Sequence, residues 1–162
     1  MSAKSDFTPE EWGVLVRAPL LVSYAIAGAA PSGRAGYTQE MKAVADSIVD
    51  ASEQVPSGSL VHSVVSEIKA GATDDLRGPT ETVSAGEVRG RALETCRRAA
   101  SILRLKAGAQ DSRAYKDWLL EVGGRVAVAS KEGGFLGIGS TRVSESEEAT
   151  LSEIAAALEA AG

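Results

Sequence analysis

The chain contains little cysteine, histidine or aromatic character. Its 162 residues include one Cys, one His and 4% aromatic residues. The single Cys96 excludes an internal disulfide and a metal cluster built on cysteines. No run of 18 apolar residues lacks charge or proline, so no transmembrane helix is predicted. The N-terminus lacks the apolar region of a signal peptide, and we therefore expect a cytoplasmic protein.

The charge balance is acidic, with a formal net charge of −5 at pH 7. This balance argues against a general nucleic-acid-binding protein, which presents a basic surface. The basic stretch from Arg89 to Lys106 also lacks the interleaved aromatic residues on which bases stack. We therefore predict no nucleic-acid partner.

Apolar residues recur at helical spacing along most of the chain, and no segment alternates convincingly as a strand does. The sequence predicts one all-α domain over residues 1–162, a bundle of six to seven helices with residues 1–7 as a loose tail. Pro19 is expected to kink or restart the first helix. Residues of helix-capping type are predicted to begin the helices: they are Thr8, Thr38, Ser84 with Glu87, Asp111 or Ser112, and Ser144 with Glu147.

Two segments of the chain match when it is offset by 100 positions. Leu20–Gly33 then lies on Leu120–Gly133, with Val22 on Val122 and Ala27 on Ala127 among the identities. This match predicts two pseudo-repeated helix pairs, 20–49 and 120–158. Their small residues are expected where helices cross closely: these are Ala27, Gly28, Gly124 and Ala127.

A family resemblance follows from the same two segments. V-G-G-R-V-A-V-A-S-K-E-G-G-F followed by S-E-S-E-E-A-T-L-S-E-I-A-A-A-L resembles the C-terminal helix pair of the tellurite-resistance TerB-like family. Y-A-I-A-G-A-A-P-S-G with T-Q-E-M-K-A resembles its N-terminal counterpart. The resemblance implies an all-helical fold, residence in the cytoplasm, and a role in stress or metal resistance rather than catalysis.

The loops between the paired helices depart from the family pattern. An acidic metal site is associated with the family's fold, but the loop P-S-G-R-A-G has no carboxylate and the second loop begins Lys131-Glu132. We therefore predict no metal site and no cofactor, with a divalent-metal-binding sensor as the alternative function. The second loop carries Phe135, Leu136 and Ile138 among glycines. These residues either plug the core or form an exposed tip for a protein partner or a membrane surface.

Two further sets of residues have the chemistry for a function. Cys96 and His62 would need to be adjacent in space, with a third orienting group, to form a nucleophilic pair. Cys96 lies on an apolar helix face, where Cys usually packs, and His62 lies among Leu60, Val61 and Val64 on another helix. Arg97 and Arg104 belong to a basic helix, which is either a solvated face or a contact for an acidic partner or for the chain's own acid-rich last helix. We predict a non-enzymatic binding or scaffold module whose partner contacts are Phe135, Leu136, Ile138, Arg97 and Arg104.

Overall fold

Six α-helices and one short 3-10 helix form the protein, for which a computed structural model describes residues 2–29, 37–72, 85–132 and 145–160. The 3-10 helix spans Lys4–Asp6. The described residues contain no strand, so the predicted all-α class is confirmed. The α-helices are α1 Pro9–Ala29, α2 Tyr37–Asp50, α3 Leu60–Lys69, α4 Ala85–Lys106, α5 Ala109–Glu132 and α6 Glu145–Glu159.

Helix α1 lies at the centre of the bundle and contacts each of the other five α-helices. Its residues Leu15, Val22 and Ile26 are fully buried. The apolar stripe predicted for α3 is buried along its whole length, as expected for an amphipathic helix on a core. That stripe consists of Leu60, Val61, Val64, Val65 and Ile68.

The start of α1 is the predicted Thr8 cap. The Thr8 backbone N–H donates to Glu11 Oε2 at 2.8 Å, and the Glu11 N–H donates to Thr8 Oγ1 at 3.2 Å. This reciprocal pair is a capping box and satisfies two backbone donors at the helix start. The predicted caps of two other helices are wrong, because α2 already begins at Tyr37 and α5 at Ala109, which places Thr38, Asp111 and Ser112 inside helices. Ser84 and Ser144 lie outside the described residues.

Proline does not restart α1, which continues through Pro19. Because Pro19 has no N–H, the Leu15 carbonyl four residues earlier loses its usual helical donor. The hydroxyl of Tyr115 on α5 donates to this carbonyl at 2.6 Å, and the contact is buried. A side chain from another helix thus replaces the hydrogen bond that the proline removes.

The N-terminal residues are packed, so the predicted loose tail is wrong for residues 2–7. Ser2 and Phe7 are buried, and the ring of Phe7 lies 5.8 Å from that of Trp12. The Ser2 backbone N–H donates to Asp111 Oδ2 at 2.6 Å, and Lys4 Nζ lies 2.6 Å from Glu67 Oε1. Burial of Phe7 and these polar contacts hold the segment against α3 and α5.

The close helix crossing lies at Gly123 rather than at the predicted Gly124. A Cβ placed on Gly123 would come within 2.7 Å of Ile26 Cδ1 and 2.8 Å of Leu151 Cδ2, whereas one on Gly124 would meet nothing within 4 Å. Gly123 is therefore the position at which α5 approaches α1 and α6. Ala127 is fully buried as predicted, and Ala27 is half-buried.

The offset of the predicted repeat is also the distance in sequence between the starts of two helices. Helices α1 and α5 begin 100 positions apart, at Pro9 and Ala109, and the aligned Val22 and Val122 are both fully buried. These features agree with the 100-residue offset without testing a common origin. The repeat and the TerB-like resemblance therefore stay predictions.

Candidate functional site

One face of helix α4 packs against the core, and the cationic side chains of α4 lie outside this face. Ala92, Cys96, Ala99 and Leu103 recur at three- and four-residue spacing and are fully buried. Its arginines therefore stand on the remaining sides of the helix, where neighbouring helices or solvent can reach them.

Three cations of α4 are paired inside the molecule. Arg89 bonds both carboxylate oxygens of Glu153 on α6, at 2.7 and 2.6 Å. On the opposite side, Arg98 lies 2.9 Å from Glu10 Oε1, and Lys106 Nζ lies 2.6 Å from Glu11 Oε2. Exposed pairs of this kind contribute only about 0–1 kcal/mol each. Their effect is to fix which charges of α4 face α1 and which face α6.

The contact with Lys106 changes the pKa of a carboxyl group at the start of α1. The Lys106 ammonium, together with the Thr8 backbone N–H, lowers the pKa of the Glu11 carboxyl. Because Glu11 also belongs to the capping box, one carboxylate serves both the helix start and the contact with α4. The side chain is thereby committed to internal contacts.

The predicted partner residues on α4 do not take part in such internal contacts. Arg97 and Arg104 are exposed, and neither side chain forms an ion pair or hydrogen bond with another residue that the structure describes. They lie seven residues apart, which places them on nearly the same side of α4 about 10.5 Å apart along its axis. We call this pair of exposed cations the Arg97–Arg104 face.

The other predicted partner residues cannot be compared with this face. Phe135, Leu136 and Ile138 lie outside the described residues, as does the rest of the glycine-rich loop. Whether they plug the core or form a tip therefore stays open. The proposed site consists here of the two arginines only.

The Cys96–His62 pair does not form a nucleophilic site. Cys96 is fully buried, and burial raises the pKa of its thiol to about 12, so the reactive thiolate is absent near neutral pH. His62 is exposed on α3. The two side chains thus occupy opposite environments, in agreement with the packing role predicted for Cys96.

A groove with a volume of about 660 Å³ runs between α1, the end of α3 and α4. Trp12 lines it, and the indole N–H of this residue is buried with no hydrogen-bond partner among the residues that the structure describes. The charges along the groove balance, so it does not select a ligand by net charge. They are those of Arg17, Arg91 and Arg98 against Glu10, Glu67 and Glu94.

The described ranges provide neither a cluster of metal ligands nor a membrane-spanning helix. There, no group of three or more His, Cys, Asp or Glu side chains is placed to hold a metal ion. No helix within those ranges has both the length and the apolarity to cross a membrane. The loops to which the metal-sensor alternative refers, 30–36 and 133–144, lie outside them, so that alternative stays a prediction.

Sequence reasoning missed the division of the α4 cations into paired and unpaired sets. The i, i+7 spacing of Arg97 and Arg104 was visible in the sequence, but the partners of Arg98 and Lys106 lie 88 and 95 positions away. Contact with the last helix was one of the open alternatives, and it is made by Arg89. In comparisons with known proteins, no family model, no curated protein and no solved structure matches the chain.

Proposed function

We propose that this protein is a non-enzymatic binding or scaffold module that acts in the cytoplasm and holds an acidic protein partner on its Arg97–Arg104 face. The proposal takes its setting, a stress or tellurite-resistance system, from the TerB-like resemblance of the two helix pairs. It takes its site from the placement of charge on α4.

The observation that carries the proposal is the contrast between cations on the same helix. Arg89, Arg98 and Lys106 each have a carboxylate of this chain within 2.9 Å. Arg97 and Arg104 have none among the described residues and remain exposed. Their guanidinium groups can form the two-pronged hydrogen bonds with carboxylates that Arg89 already forms with Glu153.

A partner held by this face is expected to be acidic and sensitive to salt. Both cations are surface groups, so their attraction to a carboxylate is screened over about 10 Å at 0.1 M ionic strength. Such charges mainly guide orientation and speed of association. The partner should therefore be retained at low ionic strength and released as the salt concentration rises.

A capture experiment tests the site with a matched control. The immobilised full chain is compared with Arg97→Glu/Arg104→Glu and with Arg113→Glu/Arg125→Glu, which reverses two exposed arginines of α5. Both double variants change the net charge by −4, from −5 to −9. We expect an acidic protein from a native lysate to bind the parent chain and the α5 variant but not the α4 variant.

The control also gives the result that would contradict the proposal. Equal loss of the partner from both double variants would mean that overall charge matters and the Arg97–Arg104 face does not. Equal retention by all three chains would place the contact elsewhere. Circular dichroism of each variant checks that its helical content is unchanged.

A further inference from the structure

Helix α6 carries acidic side chains opposite in sign to the α4 cations. It has no Lys or Arg, and Glu145, Glu148 and Glu159 are exposed. These three carboxylates make no ion pair with another described residue, whereas Glu153 is paired with Arg89. The chain therefore displays unpaired acids on α6 as well as unpaired cations on α4.

The two charged helices are neighbours. Helices α4 and α6 pack against each other and are joined by the Arg89–Glu153 contact. Neighbouring helices thus carry two charged strips of opposite sign, which are Arg97 and Arg104 on α4 and Glu145, Glu148 and Glu159 on α6. An arrangement of this kind is self-complementary, because a twofold rotation that lays α4 of one copy over α6 of another brings opposite charges together twice.

We propose that these strips bind a second copy of the same chain, so that Arg97 and Arg104 of one copy face the exposed glutamates on α6 of the other. The proposal rests on the proposed function and names the acidic partner of the same site. The contact already made inside the molecule supplies the chemistry, since Arg89 holds Glu153 through two hydrogen bonds. The dimer repeats that recognition between molecules.

The lengths of the two strips are compatible with this arrangement. The arginines are about 10.5 Å apart along α4, and the 15 residues of α6 extend over about 22 Å. Because exposed ion pairs are individually weak, the dimer should be reversible and should dissociate on the order of tenfold more readily in high salt than in low salt.

Sedimentation equilibrium of the full chain at low ionic strength tests the proposal with exchanged charges. The α4 variant is Arg97→Glu/Arg104→Glu and the α6 variant is Glu148→Lys/Glu159→Lys. We expect the parent chain to form dimers and each variant alone to be monomeric. An equimolar mixture of the two variants should form dimers again, because each reversed strip then meets its opposite charge.

The α5 variant Arg113→Glu/Arg125→Glu controls for net charge and should dimerise like the parent chain. The proposal is overturned if the parent chain is monomeric up to about 1 mM, a concentration at which even weak complexes form. It is also overturned if the mixed variants stay monomeric while the parent chain dimerises. If a variant loses helical content, the salt dependence of the parent dimer decides, and a dimer unchanged by salt contradicts the proposal.

The outcome separates this inference from the proposed function. A monomeric parent chain that still captures a foreign acidic protein through Arg97 and Arg104 refutes the homodimer and leaves the function standing. If the α4 variant still forms dimers and still captures the acidic protein, both the homodimer and the proposed function are refuted.

Discussion

Helices α1 and α5 align in sequence at an offset of 100 residues, but each lacks a different group that helices usually have. At aligned positions 19 and 119, α1 has a proline and α5 a leucine, whereas at positions 23 and 123 α1 has a serine and α5 a glycine. Helix α1 therefore lacks the backbone donor of residue 19, and α5 lacks a side chain at position 123.

Each helix supplies what the other lacks. Tyr115 of α5 donates to the Leu15 carbonyl that Pro19 leaves without its helical partner. Ile26 of α1, together with Leu151 of α6, fills the space left at Gly123. The two helices are therefore complementary rather than interchangeable, and the following predictions test that complementarity.

The largest effect is expected at alkaline pH, where α5 can titrate at a position occupied by leucine in α1. Burial raises the pKa of Tyr115 well above 10 and that of Cys96 from 9.0 to about 12. Both folded-state values exceed the unfolded ones, so stability is fully present below pH 9 and falls as the pH rises. The Cys96 thiol gives a slope of about 1.4 kcal/mol per pH unit above pH 9, and Tyr115 adds a further loss that begins above pH 10.

Urea unfolding between pH 8 and pH 11 measures this loss. Cys96→Ala should remove the part that begins near pH 9, and Tyr115→Phe the part that begins near pH 10. A free energy of unfolding that stays level to pH 11 would show that neither group is buried in its protonated form.

The second prediction concerns the hydrogen bond between the two helices. Tyr115→Phe removes the donor and leaves the Leu15 carbonyl buried without a partner, which should cost about 1–3 kcal/mol. Pro19→Ala restores a helical N–H to that carbonyl, so Tyr115→Phe should cost less in a chain that already carries Pro19→Ala. A double-mutant cycle measured by denaturant unfolding checks the coupling, and additive effects would mean that the two residues act independently.

The third prediction compares aligned alanines. Ala127 is fully buried, and Ala27 is half-buried. Ala127→Leu should therefore destabilise the protein by about 1–3 kcal/mol through overpacking, with a smaller loss for Ala27→Leu. Thermal melting of both variants tests the order, and equal melting temperatures would show that the two faces are equally crowded.

The smallest effects are expected at two adjacent glycines. Gly123→Ala places a Cβ against Ile26 and Leu151, which must move, so it should destabilise the bundle. Gly124→Ala meets nothing within 4 Å and should stabilise α5 by up to about 1 kcal/mol through helix propensity. Opposite shifts in melting temperature would confirm which glycine marks the crossing, and shifts of the same sign would contradict it.

The sequence predicts the helices and their buried faces well because both follow from local spacing. The Thr8 cap is confirmed, and the helical spacing of the α3 stripe and of Ala92, Cys96, Ala99 and Leu103 on α4 agrees with their burial. Periodicity identifies a buried face but not the neighbour that covers it. Gly123 lies four residues from both Leu119 and Ala127 on the buried face, so spacing favours it over Gly124, but only the positions of α1 and α6 show which side chains it meets.

The wrong predictions share one cause, which is that the deciding contacts join residues far apart in the sequence. Pro19 was expected to interrupt α1 because nothing near it in sequence replaces the lost hydrogen bond. Ser2 belongs to a segment expected to be loose, yet it is held by Asp111, 109 positions away. On α4, Arg97 and Arg98 are adjacent and chemically identical, and only the position of Glu10 decides that Arg98 is paired.

The bond from Tyr115 to Leu15 also has a consequence for the order of folding. It joins residues 100 positions apart, so the last backbone acceptor in the middle of α1 is satisfied only after α5 has docked. A nascent chain that has emerged only as far as α1 cannot complete this helix from its own residues. Contacts of such long range slow the folding of helical proteins, whose contacts are otherwise mostly local. The hydrogen bonding of α1 is therefore expected to be completed together with the docking of α5, late in folding, although α1 precedes α5 in the chain.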